Sequence, residues 1–238
     1  MGKKISKIIG IFLLGALGGI FADQILWPYL IASPFFRQYG LRERPIYLTE
    51  QKEIFIQENT ALTQAVEKVE KVVVGIRTQK SSGIILEGSG LIVSSDGLLV
   101  TLADLVPPGA KTTLFWEGEK PSFQVLKRDL KENLALLKME KTNLPTTGFA
   151  DFSRIKTGTR VFLIGAIFEK NNIKKSANEG IIKTFDEELI ETNIVEKSAL
   201  WGSPLFDLEA NLLGLNEVAK DGRITAIPVS QIKNFAGF

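Results

Sequence analysis

The chain has 238 residues, 45% of them hydrophobic and 24% charged, the composition of a protein that buries a core. Its 29 basic and 27 acidic residues leave a formal net charge of +2, too even for a nucleic-acid surface, and no stripe of Lys and Arg interleaved with stacking aromatics occurs. Cysteine and histidine are both absent. That excludes a disulfide framework, a thiolate nucleophile and the usual transition-metal ligands. No carboxylates recur at EF-hand spacing, so neither metal nor cofactor is expected.

Residues 8–22 form an unbroken apolar run, interrupted by Asp23 and Gln24 and resumed over 25–32. About 20 apolar residues cross a ~30 Å hydrocarbon layer as a helix, and Trp27 and Tyr29 would sit in the interfacial aromatic belt. Lys3, Lys4 and Lys7 precede the run and favour a cytoplasmic N-terminus, although Arg37, Arg42 and Arg44 follow it. Residues 1–32 are therefore read as a cytoplasmic tip and single-pass anchor, with the remainder outside the cytoplasm. A cleaved signal ending at Ile20-Phe21-Ala22, giving a secreted protein, is the competing reading. Gly15 and Gly19 make one GxxxG, a weak sign of helix pairing.

Residues 33–58 read as a stalk whose Phe35, Phe36 and Tyr39 can pack on a neighbouring subunit or on their own domain. The apolar spacing of Leu62, Ala65, Val66 and Val69 predicts a short helix over 59–71. Short β runs follow at 72–78, 83–93, 98–101, 112–116, 123–127 and 134–139. A second series occupies 160–167, 178–184, 189–195, 212–218 and 224–228, and a last helix can start at Ser230. Strands at this spacing, separated by turn residues, indicate an all-β sandwich or barrel. The two series suggest two six-stranded antiparallel barrels within a domain over 59–238, one at about 72–143 and one at about 146–238.

Five segments carry a resemblance. Gly88-Ser89-Gly90-Leu91-Ile92-Val93-Ser94-Ser95-Asp96-Gly97 is similar to G-S-G-x-I-[VI]-x-x-D-G. Asn133-Leu134-Ala135-Leu136-Leu137-Lys138 is similar to D-L-A-[LV]-L-K. Ile190-Glu191-Thr192-Asn193 looks like I-Q-T-D, Ser203-Pro204-Leu205 like the end of G-N-S-G-G-P-L, and Ala226-Ile227-Pro228 matches A-I-P. In this order and spacing they resemble the HtrA (Deg) family of extracytoplasmic trypsin-like serine proteases, from about Ala61 onward.

The resemblance assigns the triad positions. Where the family has T-N-x-H-V-V, this chain has Thr101-Leu102-Ala103-Asp104-Leu105-Val106, so Asp104 stands at the histidine position. Asn133 stands at the aspartate position and Trp201 at the serine position. Ala199 replaces a glycine whose N–H helps form the oxyanion hole, while Gly202 and Pro204 are retained. An aspartate carboxylate is ionised at neutral pH but is a feeble base towards a hydroxyl, an asparagine orients no base, and an indole is no nucleophile. Asp104 reads better as a helix cap than as a catalytic group. Ser203 is the nearest hydroxyl and the candidate for a rearranged nucleophile, with Lys197 as base; Ser198 beside Lys197 is weaker, because neighbours on a strand point apart.

Two functions remain. One is a membrane-anchored pseudoprotease that binds a protein or peptide, holds unfolded segments, or regulates an active homologue. The other is a serine-type endopeptidase with a rearranged site using Ser203. The family resemblance implies homo- or hetero-oligomers, commonly trimers. The sequence stops just after its last helix, so no PDZ domain is expected.

Overall fold

The computed structural model describes residues 2–26, 29–30, 58–169, 172–196 and 200–238. The stalk with Phe35, Phe36 and Tyr39, together with Trp27, Lys197, Ser198 and Ala199, lies outside the described residues. The chain divides into two units, Met1–Ile54 and Phe55–Phe238.

In the first unit, helix α1 (Gly2–Phe21) continues as a π-helical turn over Ala22–Leu26. The 22 residues Ile5–Leu26, with mean hydropathy 2.0, are long and apolar enough to cross a membrane. Its apolar side chains are exposed, Phe12 at 75% and Leu14 at 73%. A helix apolar all round, with nothing to bury against among the described residues of its unit, suits a hydrocarbon surrounding rather than water.

The second unit opens with α2 (Glu58–Val69), which tightens into a 3-10 turn at Glu70–Val72. Ala65 and Val69 are buried, with Leu62 and Val66 packed beside them, so one helical stripe meets the core. Six strands follow: β1 (Val73–Gln79), β2 (Ile85–Ile92), β3 (Leu98–Leu102), β4 (Lys111–Phe115), β5 (Phe123–Asp129) and β6 (Leu134–Met139). They form one antiparallel sheet in the order β4-β1-β2-β3-β6-β5. The sheet is a half-barrel: β4 and β5 end its two sides and do not pair with each other. The turn after β4 carries Glu117 and Gly118 at positive φ (47° and 80°), Pro121 has no N–H to donate, and β5 is bulged between Val125 and Lys127. Lys111 and Lys127 stand on these edge strands, a usual guard against unwanted strand pairing.

The remaining strands, β7 (Arg160–Glu169), β8 (Asn172–Phe185), β9 (Ile190–Val195), β10 (Pro204–Asp207), β11 (Leu212–Val218) and β12 (Arg223–Pro228), close into a barrel in the order β10-β11-β12-β9-β8-β7. β10 completes the count that the sequence left at five. β8 runs longer than expected and pairs with β7 from Arg160↔Ile181 to Glu169↔Asn172. This hairpin lies across β1 at Gly75, where a side chain would meet Ala166 at 3.1 Å and Phe168 at 3.2 Å. Nearby, the Arg77 guanidinium is paired with Glu87 at 2.7 Å and lies 4.6 Å from the Phe168 ring centroid.

The largest core cluster spans both sheets, joining Leu91, Leu137 and Met139 to Phe162, Phe206 and Leu215. A second cluster, including Leu163, Ile182, Ile190 and Leu205, fills the closed barrel. Helix α3 (Val229–Ala236) buries Val229, Ile232 and Phe235 and ends on Gly237 at φ 83°. Phe162 and Phe206 face each other across the β7–β10 pair, with stacked rings 5.4 Å apart. Phe162→Ala is expected to destabilise the domain by about 3–5 kcal/mol, read as a lower denaturant midpoint.

Candidate functional site

Three elements converge where the half-barrel meets the closed barrel. β3 ends in a 3-10 turn, Ala103–Leu105, because the chain must leave the sheet before Pro107. The turn between β5 and β6 places Asn133 at φ 50°, a left-handed conformation that asparagine accepts better than most residues. Its backbone carbonyl accepts from Ala103 N (3.0 Å) and its Oδ1 accepts from Asp104 N (3.1 Å). Its Nδ2 donates to Glu217 Oε1 on β11 at 2.7 Å. One side-chain amide thus bridges the half-barrel to the closed barrel.

Trp201 occupies the turn entering β10, half-buried, with its Nε1 donating to Val218 O at 3.3 Å. Asp104, Asn133, Trp201 and Glu217, with Leu102 and Val218, line a cleft of about 280 Å³. Asp104 is exposed, and the bond Asn133 makes to it reaches its backbone N–H rather than its carboxylate. The arrangement is that of a hydrogen-bonded clasp, and no proton relay runs from Asn133 through Asp104 to Trp201.

Ser203 lies elsewhere. It is fully buried, its Oγ donating to Ser89 Oγ at 3.4 Å. Ser89 is itself a joint between the sheets. Its N–H donates to Trp201 O (2.7 Å), its carbonyl accepts from Thr101 Oγ1 (2.7 Å), and its Oγ accepts from Ala166 N (2.8 Å). The flanking glycines make room for these bonds: a side chain at Gly88 would meet Trp201 O and Leu105 at 2.6 Å. Gly202, at φ 69°, leaves no space between its Cα and Ser89 O.

Sequence motifs thus bring Asp104, Asn133 and Trp201 to one cleft and place Ser203 behind it. Glu217 and Asn216 escaped the sequence reading because β11 falls between the matching segments and neither residue carries a local pattern. Asn216 is fully buried, and neither atom of its side-chain amide has a hydrogen-bond partner among the described residues. No group of three metal-ligating side chains occurs among the described residues.

A half-barrel and a closed barrel meeting at this cleft define a trypsin-like architecture. The sequence model of the trypsin-like peptidase domain matches residues 88–215, more than half of the chain, which belongs to that family. Within it the chain is HtrA-like. It is 32% identical over 108 residues to a probable periplasmic serine endoprotease, DegP-like, of Halomonas elongata, covering 42% of this chain and 22% of that protein. The DegP-like protein of Pseudomonas putida is 29% identical over 96 residues, 37% of this chain and 20% of that protein. The chain thus spans about a fifth of the length of these relatives. The structure of the HtrA-type protease AlgW with a tripeptide superposes with a TM-score of 0.66 at 25% identity, over 74% of this chain and 62% of that one.

Asn133→Ala is expected to cost about 2–4 kcal/mol, from two lost side-chain bonds and a strained left-handed backbone. Asn133→Gly is expected to recover about 1 kcal/mol of that by relieving the backbone alone. Urea unfolding of the two variants checks both.

Proposed function

We propose that this chain is a membrane-anchored, extracytoplasmic trypsin-like domain that works by binding protein segments and does not cut them. The observation that carries the reading is the clasp. Asn133 accepts from the Asp104 backbone N–H and donates to Glu217, while the Trp201 indole donates to Val218 O, so the groups at these positions are committed to structural hydrogen bonds. A serine protease needs a base within hydrogen-bond reach of an exposed nucleophile. Asp104 has no hydroxyl partner among the described residues, Trp201 offers none, and the burial of Ser203 speaks against the rearranged endopeptidase. The apolar helix Ile5–Leu26 supports an anchor, and the relatives described as periplasmic support a domain outside the cytoplasm. Regulation of an active homologue by co-assembly is the same binding function directed at a folded partner.

The detergent-solubilised full chain is expected to leave a serine-directed fluorophosphonate unreacted. It is also expected to retain fluorescent, unfolded casein in a pull-down without shortening it. Cleavage that disappears in Ser203→Ala would establish the endopeptidase instead. Failure to retain casein would remove the role in holding unfolded segments.

A further inference from the structure

A second cavity lies apart from the cleft and shares no lining residue with it. It has a volume of about 690 Å³ and opens between the turn after β4 and the turn end of the β7–β8 hairpin. Its size lies within the roughly 300–1,000 Å³ typical of small-molecule sites. Phe115, Trp116 and Ile173 give it an apolar wall. The wall is fixed: Phe115 packs edge-on against Phe168 with centroids 5.5 Å apart, and Trp116 Nε1 donates to Lys71 O at 2.8 Å.

The charges around it are unequally satisfied. On β1, Arg77 is neutralised by Glu87 of β2. On the hairpin, Lys174 is neutralised by Glu169 at 2.6 Å. In the turn, Glu119 pairs with Lys141. Two ammonium groups remain without an ion pair among the described residues. Lys120 rests 5.2 Å from the Phe115 centroid, and Lys175 donates from Nζ to Val73 O as its one described acceptor. Lys175 is exposed over the residue as a whole, while its Nζ makes a partly buried contact with Val73 O. Burial pulls its pKa down to about 8, against the opposing pull of Glu117 and Glu70. A desolvated ammonium with spare N–H donors is stabilised by any anion brought to it.

We propose that this cavity binds a small organic acid with a flat apolar body, its carboxylate meeting the ammonium groups of Lys175 and Lys120 and its body lying along Phe115 and Trp116. Lysines are compact point charges that take a carboxylate without demanding a bidentate geometry. The aromatic wall selects against a bare inorganic anion, which would gain nothing from it. The inference stands apart from the peptide-binding reading of the cleft.

The test uses the full chain in non-ionic detergent and acetylation by a neutral N-hydroxysuccinimide ester, with each lysine followed by peptide mass spectrometry. At neutral pH, saturating phenylacetate is expected to slow acetylation of Lys175 about tenfold, the effect of raising its pKa by about one unit. Exposed Lys220 serves as the unaffected reference. Lys120→Gln is expected to weaken that protection, measured against the variant's own unliganded rate, and undiminished protection in this variant overturns the two-lysine site. Absence of protection by phenylacetate overturns the proposal. Equal protection by the uncharged phenylacetamide also overturns it, because the cavity would then read shape and not charge.

Discussion

The domain depends on one buried serine. Ser89 spends its N–H, its carbonyl and its hydroxyl on bonds to Trp201, Thr101 and Ala166, so β2, β3, β7 and the turn before β10 are fastened at a single point. Each bond alone contributes about 1 kcal/mol. Loss of any one of them in a fully buried site leaves an unsatisfied partner and costs more than the bond provided. The glycines on either side matter for the same reason, since a side chain at Gly88 would push the Trp201 carbonyl off its donor. The Gly88-Ser89-Gly90 segment, part of one of the five motifs that carry the family resemblance, is thus an architectural joint. Its role does not depend on which side chains stand at 104, 133 and 201, because the bond it makes to Trp201 is to that residue's backbone carbonyl.

The sequence was legible where burial and local pattern agree. β6 and β11, apolar-rich runs between turns, have the boundaries their pattern suggests, because most of their residues are buried and the flanking turns mark their ends. β10 was invisible: it has four residues, begins with Pro204 and exists only because Phe162 and Leu215 flank it. The first half of β8 was hidden similarly, since Asn172, Lys174 and Lys175 read as loop and are held extended by ten-residue pairing with β7. The open side of the half-barrel also lay beyond the pattern, as it follows from a positive-φ turn and a bulge that no alternation records.

The site divides along the same line. Asp104, Asn133 and Trp201 could be located from motif spacing, yet spacing said nothing of what they do. Asp104 contributes its backbone N–H, and Asn133 uses its amide to grip β11. Glu217, the far end of that grip, is 84 residues away from Asn133 in the chain. Lys175 was equally silent: in sequence it is one of several lysines, and only the fold brings its ammonium to the Val73 carbonyl. The pull on Lys175 is a product of tertiary contact, whereas Asp129, Asp151 and Asp221 are held low by donors within three residues of them.

The placement of β1 carries a mechanical consequence. The chain enters the folded domain through α2 and passes directly into β1, which is hydrogen-bonded along both edges, to β2 over seven residue pairs and to β4 over five. Tension arriving from the N-terminal side therefore loads two antiparallel ladders in shear, with many bonds sharing the force at once, instead of peeling a strand from an edge. A tether attached at this end pulls on the best-secured strand of its sheet.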